Sequence, residues 1–447
     1  MNLTEVIFQT IMHLHEHWFT NYLSKDLMKI SQIDAYEILA SGGFPTLEVK
    51  VTLENGVSDT ASVPYGASAG SHEAVVLIDN DLSRYQGNGM LKAIANVKEK
   101  IAPSLIGREV DQQRIIDEKM IELDGTDNKS SFGGNAILAV SVAVARVAAK
   151  SQNKPLYLYI KDTFQTGVDF SQLPQPMMVV IEGGKHADDT TDLQEYCMSA
   201  INIKSPTQGI RKILESYHCL KKVLKSQKLS TNVGNEGAFA PNGIPTNEAP
   251  FQYMLEAIKM AGYQAGQDIG FSIDAAASEF YQDGKYRLAI EHQSLTGPEL
   301  ISFYEKWLEK YPIITIEDML SEDDWDNWVL LNQMSQKHQV ELIGDDLTVT
   351  NQKRLQKAID LKAISSILIK LNQIGTLTET VDTCMLAKKY QMMTVPSHRG
   401  GGETNDTAMV DLAVAVGSKF IKVGPTRGER VSKYNRLMEI ERELKNN

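Results

Sequence analysis

The feature that most constrains the fold is a regular alternation of strand and helix patterns from about Gly167 to the end of the chain. The predicted strands are Gly270–Asp274, Ile313–Asp318, Val340–Asp345, Ser366–Lys370, Met392–His398 and Phe420–Gly424. Helical patterns such as 298–310 and 376–389 lie between them. Alternation of this kind over about 280 residues is typical of parallel βα units, and the length suits a closed barrel.

Each of these predicted strands ends on a charged or polar side chain. The residues are Asp274, Glu317, Asp345, Lys370, His398 with Arg399, and Lys422. In a βα barrel the carboxyl ends of the strands converge on one face, where catalytic residues are found. Six such ends in succession therefore predict an active site at the mouth of a barrel.

The segment before the barrel has a different order, with strands first and helices afterwards. Residues 47–53 alternate with period two, and Asn55-Gly56 predicts a turn into a second strand at 59–63. Helical patterns follow at 90–101, 111–123 and 136–150, which indicates an α+β domain. We therefore expect a smaller α+β domain over 28–166, a catalytic barrel over 167–447, and a flexible N-terminal extension over 1–27.

Charge and cysteine content exclude several classes of protein. The net charge of −12 argues against a protein that coats nucleic acid, because phosphate binding needs a basic surface. The most apolar stretch, 136–149, is shorter than the roughly 20 residues of a membrane span, and it contains Arg146. Cys197, Cys219 and Cys384 are few and far apart, which indicates buried thiols in a reducing compartment. The His13–His17 tract is interpreted as solvated, although it could bind a metal.

Three of the strand-end residues, Asp274, Glu317 and Asp345, are carboxylates. Gathered in one mouth they would repel one another unless a cation joined them. A ligand set of oxygens alone suits a hard ion such as Mg²⁺. Each acid taken singly has another interpretation, as a cap for the following helix.

The other polar groups suggest proton transfer beside an anion. Lys370, placed deep at a strand end, becomes a general base if burial and positive neighbours depress its pKa. Arg399 offers a bidentate fork for phosphate or carboxylate, with a Gly400–Gly402 loop next to it. Glu195 and Glu236 form a candidate couple in which one member stays protonated and acts as general acid.

These residues lie within longer motifs that resemble the enolase family from Ile30 to about Leu444. The motifs include Gly66-Ala67-Ser68, Ile121–Thr126, Asn135–Leu138, Pro176-Met177-Met178, Ala276–Tyr281, Ile316-Glu317-Asp318, Gly344–Leu347, Lys370–Glu379, Ser397-His398-Arg399 and Val431–Asn435. The resemblance implies an enolase-type TIM-like barrel behind a smaller α+β domain, and the reversible dehydration of 2-phosphoglycerate to phosphoenolpyruvate.

The resemblance also implies a role for each residue of the site. Lys370 would remove the C2 proton, and Glu236, supported by Glu195, would protonate the departing 3-hydroxyl. Two Mg²⁺ ions would bind, one at Asp274, Glu317 and Asp345, the other with Ser68. The remaining substrate contacts would come from His186, His398, Arg399, Gly400 and Lys422. A homodimer or higher homo-oligomer in the cytoplasm, with a secondary cell-surface or secreted pool, is implied as well.

Several loops depart from the family pattern. Glu182–Ala187 reads Glu-Gly-Gly-Lys-His-Ala where the family has Asn-Gly-Gly-Ser-His-Ala, and Gly400 stands where the family has a phosphate-binding serine, with one glycine inserted beside it. Two alternatives therefore stay open. One is a weakly active or inactive paralogue that serves as a binding protein; the other is an elimination enzyme acting on a different hydroxy acid.

Overall fold

The computed structural model describes residues 28–66 and 70–446. The predicted extension 1–27, its His13–His17 tract and the predicted metal ligand Ser68 lie outside the described residues. The boundary after residue 166 stays a prediction: the helix Leu156–Phe164 precedes it, and the next strand begins at Gln175.

An antiparallel sheet opens the chain, in the spatial order β1 (Ile30–Leu39), β2 (Pro45–Leu53) and β3 (Ser58–Ser62). Alternate residues of β2, such as Leu47, Val49 and Val51, are buried, as the period-two pattern predicts. The Asn-Gly turn forms as predicted, since Gly56 has a φ of +82° and the Asn55 side chain accepts the backbone N–H of Val57.

α-Helices follow this sheet in the chain, and the longest of them packs against β2 and β3. They are Leu91–Asn96, Ala102–Leu105, Gln113–Asp124, Gly134–Ser151 and Leu156–Phe164, with a π-helical turn at Val97–Ile101 between the first two. The helix Gly134–Ser151 is long and apolar enough to cross a membrane, but 83% of it is buried inside the protein. That burial is typical of a core helix. Its Arg146 reaches the barrel, where it pairs with Asp406 at 2.7 Å.

An eight-stranded sheet forms the second part of the chain. Its strands are β4 (Gln175–Glu182), β5 (Glu195–Ala200), β6 (Ile269–Asp274), β10 (Ile313–Glu317), β11 (Glu341–Gly344), β12 (Ser366–Ile369), β13 (Met393–Pro396) and β14 (Phe420–Val423). They follow one another in that spatial order, and β14 pairs with β4. A bridge between Ser397 and Lys422 joins β13 to β14 and closes the barrel.

One strand runs against the expected parallel direction. β5 pairs antiparallel with both β4 and β6. The connection between β4 and β5, residues 183–194, holds only a short 3₁₀ turn at Gly184–His186. A crossover to a parallel strand usually needs a helix, so a short connection favours the antiparallel pairing.

The barrel helices pack outside this sheet, at Pro206–Ser226, Ala249–Met260, Gly297–Lys310, Trp325–Lys337, Gln352–Leu361, Leu371–Ile374, Leu377–Lys389, Ala408–Val416 and Gly428–Asn446. A 3₁₀ turn at Ala277–Phe280 and a small sheet of β7 (Tyr281–Gln282), β8 (Lys285–Leu288) and β9 (Gln293–Leu295) follow β6.

The barrel interior has an apolar core of its own. It is made of Met177, Val179, Cys197, Ala238, Ile343, Leu368, Val395 and Phe420. The three cysteines are free thiols. Cys197 and Cys384 are buried, but Cys219 is only half-buried on its outer helix, so the expectation of a buried thiol is wrong there.

Candidate active site

The predicted strand-end residues meet at one mouth of the barrel. Asp274 and Glu317 are the last residues of β6 and β10, and Asp345 and Lys370 directly follow β11 and β12. His398 and Arg399 come just after β13, while Lys422 lies within β14. Most of these side chains are almost fully buried, so their charges act on one another through little water.

Lys422 is the centre of one cluster of carboxylates. Its Nζ lies 2.7 Å from Glu317 Oε1, 2.8 Å from Glu195 Oε2 and 3.0 Å from Asp274 Oδ2. Burial lowers the pKa of Lys422, but these carboxylates outweigh burial and hold the pKa well above its usual range. Lys422 is therefore a permanent cation inside an acidic pocket.

Lys370 forms a separate pair with Asp345. Its Nζ donates to Asp345 Oδ2 at 2.5 Å, while Asp345 Oδ1 accepts from Gln373 Nε2 at 2.7 Å. Burial lowers the pKa of Lys370, but the Asp345 carboxylate more than offsets burial, and the pKa is raised. The expectation of a depressed lysine pKa is thus wrong for this arrangement, because the dominant neighbour is an anion.

The donor chemistry of the mouth fits a hard divalent cation. Asp274, Glu317 and Asp345 offer only carboxylate oxygens, which Mg²⁺ prefers. Burial, and then the neighbouring Asp274, raise the pKa of Glu317 well above its usual range, as happens where buried carboxylates outnumber the cations around them. The oxygens of Asp318, Asp345 and Asp346 form a further group within 4.8 Å of one another.

Two glutamates and two histidines form a third cluster. His186 Nδ1 lies 3.4 Å from Glu195 Oε1 and 3.6 Å from Glu236 Oε1, and His398 Nε2 lies 3.1 Å from Glu236 Oε2. All four side chains are buried. The structure thus brings the candidate acid couple together, with an imidazole bridging its two members.

The two glutamates of this couple have pKa values shifted in opposite directions. Burial, and then the charge of Glu236, raise the pKa of Glu195 to about 8. Burial acts in the same direction on Glu236, but the neighbouring imidazoles of His398 and His186 outweigh it and lower the pKa of Glu236. Burial also lowers the pKa of both histidines. At neutral pH the proton of the couple therefore rests on Glu195, whereas the family resemblance implies the acid role for Glu236.

Arg399 and Gly400 lie between these clusters. Arg399 Nη1 donates to both oxygens of Glu73, at 3.0 Å each. Gly400 has no room for a side chain, because a Cβ there would lie 2.7 Å from Glu236 Oε1 and 2.7 Å from His186 Nε2. The close approach of the Gly400 backbone therefore depends on glycine.

Sequence reasoning missed several polar groups of this mouth. They are Glu73, Glu182, Asp318, Asp346, Gln373 and Arg430, all but Asp346 buried. Glu182 carried a usable signal, since it ends the apolar strand β4 as Asp274 ends β6. Glu73 carried none, because its partner Arg399 is 326 residues away.

Comparison with known protein families gives two matches. A family model described as "Enolase, N-terminal domain" matches residues 30–160, and one described as "Enolase, C-terminal TIM barrel domain" matches residues 170–447. Together they span the small sheet with its helices and the whole barrel, including every strand-end residue described above.

Proposed function

The chain belongs to the enolase family, and from that premise we propose that it is a Mg²⁺-dependent lyase that reversibly dehydrates 2-phosphoglycerate to phosphoenolpyruvate. One observation carries the proposal. β5, which bears Glu195, and β12, which precedes Lys370, are four strands apart in an eight-stranded barrel, so the two residues approach from opposite walls. A base and an acid on opposite sides of a bound hydroxy acid suit the loss of a proton and a hydroxyl from adjacent carbons.

Each of these residues would have its own role in the reaction. Lys370 Nζ, after the ammonium has released its own proton to water, takes the proton next to the substrate carboxylate. The Glu195–Glu236 couple, joined through His186, delivers a proton to the departing hydroxyl, and Glu195 holds that proton at neutral pH. Lys422 and Arg399 provide fixed positive charge for the carboxylate and phosphate.

Metal binding completes this assignment. Asp274, Glu317 and Asp345 would hold one Mg²⁺, and Ser68 would contribute to a second. Bound there, the cations would neutralise the carboxylates, weaken the hold of Asp345 on Lys370, and stabilise negative charge that develops on the substrate.

The direct test is turnover of 2-phosphoglycerate, followed by the ultraviolet absorbance of the enol product. We expect turnover that stops when EDTA removes divalent cations and returns when Mg²⁺ is added in excess. A folded protein that shows no turnover at saturating Mg²⁺ would contradict the proposal. Tight, Mg²⁺-dependent binding of substrate without turnover would instead favour the binding-protein alternative.

Gly400 favours a second candidate, elimination from a different hydroxy acid. The backbone at Gly400 is pressed against Glu236 and His186, so no side-chain hydroxyl stands where the family's phosphate-binding serine would be. Comparing turnover of 2-phosphoglycerate with that of unphosphorylated 2-hydroxy and 3-hydroxy acids separates the two candidates. A clear preference for an unphosphorylated acid would favour the second.

We also propose that the protein is cytoplasmic and forms a homodimer or higher homo-oligomer. Its ligand would be a small anionic substrate and not nucleic acid. The acidic net charge of −12 supports the exclusion of nucleic acid. Light scattering coupled to size-exclusion chromatography tests the assembly, and fractionation of cells tests the location, including a secondary pool at the cell surface.

A further inference from the structure

Glu182 is a buried acid at the barrel mouth to which the proposed reaction assigns no role. It ends β4 and its side chain is fully buried. Its carboxyl oxygens accept the backbone N–H of Glu236, at 3.1 Å and 3.3 Å. Its own N–H donates to the carbonyl of Phe239 at 3.0 Å. Glu182 therefore forms hydrogen bonds with two residues of the turn that carries Glu236, namely Glu236 itself and Phe239.

The turn is shaped around this carboxyl. A Cβ at Gly234 would lie 2.5 Å from Glu182 Cδ, so the carboxyl packs directly against the backbone of the turn. The N–H of Gly234 meets the carbonyl of Ala238 at 3.1 Å, which closes the loop over Glu182. A smaller side chain at 182 would leave a space under Glu236 and an unpaired N–H.

The titratable groups that face Glu182 come from four elements. Glu236 lies in the turn, Glu195 on β5, Arg430 on the helix Gly428–Asn446, and Tyr217 on the helix Pro206–Ser226. Arg430 is the cation among them, and its hydrogen bonds go to Glu429, Ser41 and the carbonyl of Arg399. Among the residues that the structure describes, no lysine or arginine forms an ion pair with Glu182.

Burial without a paired cation disfavours a charge on Glu182. Burial, and next the charge of Glu236, raise the pKa of Glu182 to about 9, above that of Glu195 at about 8. Two of the three clustered carboxyls are then neutral at pH 7, and Glu236 alone is ionised. This agrees with the geometry, since Glu236 is the member in contact with both imidazoles.

We propose that Glu182 is a positioning residue that works as a neutral carboxylic acid: it holds the Glu236 turn by accepting its N–H, and its lack of charge leaves Glu236 as the single anion of the cluster. The catalytic part of this inference rests on the proposed function. Ionisation of Glu182 would place a second anion beside Glu236 and oppose the negative charge that develops on the substrate. Loss of the Glu195 proton, whose pKa is about 8, should already lower turnover in alkali, and ionisation of Glu182, whose pKa is about 9, should steepen that fall.

The test compares Glu182→Gln with Glu182→Ala, using exposed Glu256→Gln as the control. The glutamine keeps an oxygen for the N–H of Glu236 but cannot ionise. We expect it to retain kcat within about threefold at pH 7 and to keep only the alkaline fall set by Glu195, so that its log kcat declines with a slope of about one where the wild type is expected to decline more steeply near pH 9. The alanine should lose about tenfold or more in kcat at every pH, with little change in KM, since the turn loses its anchor.

A second readout does not depend on turnover. A carboxyl whose folded-state pKa lies above its unfolded-state value contributes stability at low pH, and this contribution is lost as pH rises toward the folded-state pKa. The melting temperature of Glu182→Gln minus that of the wild type should therefore increase from about pH 5 to about pH 8, with the exposed Glu256→Gln measured in parallel as the control. Glu182→Ala also lacks the titrating group and replaces the glutamine in this comparison if that variant does not fold.

The two readouts separate the possible failures. A melting-temperature difference that stays constant with pH would overturn the neutral state of Glu182, whatever the enzyme's substrate. An alkaline fall in Glu182→Gln as steep as that of the wild type would overturn the effect of Glu182 on catalysis. An inactive wild type with the expected melting behaviour would contradict the proposed function and leave the neutral acid established.

Discussion

Glu73 and Arg399 form a buried pair that joins the segment before the barrel to the barrel mouth, with Arg399 Nη1 3.0 Å from both carboxylate oxygens. The side chains are 2% and 1% exposed, so water barely screens the pair. Glu73 also accepts the N–H of Gly70 at 3.0 Å. The guanidinium proposed to bind phosphate is thus already oriented by a carboxylate from the other part of the chain.

We predict that Glu73→Gln lowers the free energy of unfolding by about 3 kcal/mol, because it leaves a buried guanidinium without its main counter-charge. Urea unfolding of the variant and the wild type measures the difference. Glu122→Gln is the control, since Glu122 pairs with Lys119 on the surface with its side chain 72% exposed and should cost less than about 1 kcal/mol. Equal losses in the two variants would contradict the prediction.

Lys370→Ala should reduce kcat by about a thousandfold or more, because it deletes the proposed base, a role whose removal typically costs 10² to 10⁴. The initial rate of product formation at saturating Mg²⁺ measures the loss. The exposed Lys221→Ala should keep wild-type activity. Circular dichroism must show that Lys370→Ala is folded, since Asp345 loses its 2.5 Å partner. A folded variant with near-normal kcat would remove Lys370 from the mechanism.

The strand ends were predictable because they follow from a local pattern. An apolar run that stops at a charge, as at Asp274 and Glu317, shows both the strand and the place where its side chain emerges. Topology then brings those ends together whatever the details of packing. The sequence therefore predicted the barrel, the mouth and the residues that meet there.

The partners of these groups were not predictable, because they depend on long-range packing. Lys422 pairs with Asp274 and Glu317, which are 148 and 105 residues away in the sequence, and Lys370 pairs with Asp345. The expected pKa of Lys370 was wrong for this reason, since the sign of the shift depends on which charge lies nearest. The antiparallel direction of β5 was missed as well, because the sequence pattern of a buried strand does not record its direction.

Gly400→Ser should impair activity, although the family has serine at this position. A Cβ there would meet Glu236 Oε1 and His186 Nε2 at 2.7 Å each, so the acid cluster must move. We expect a loss of about tenfold or more in kcat, and about 1–3 kcal/mol of stability from overpacking. Gly428→Ser is the matched control, since a Cβ there meets nothing within 4 Å. A gain of activity in Gly400→Ser would show that the loop adapts and that the serine restores phosphate binding.

Asp117 gives a pH-dependent test of the contact between the two parts of the chain. It lies on the helix Gln113–Asp124, fully buried, and accepts the N–H and the hydroxyl of Thr378 at 3.0 Å and 2.6 Å. Thr378 stands in the first turn of the barrel helix Leu377–Lys389, where a carboxylate is favourable. Burial outweighs these hydrogen bonds and raises the pKa of Asp117 from 3.8 to about 6.

Because the folded-state pKa is the higher one, the stability that Asp117 contributes is fully present below about pH 4 and declines as pH rises to about 6. Asn at this position does not titrate, so the stability of the wild type relative to Asp117→Asn should fall by about 3 kcal/mol over that interval and stay constant above it. Denaturant unfolding at a series of pH values measures the change. The exposed Asp127→Asn should show no comparable decline. If the stability of the wild type relative to Asp117→Asn instead rises with pH, the hydrogen bonds from Thr378 outweigh burial, and Asp117 ionises at a lower pH in the folded than in the unfolded protein.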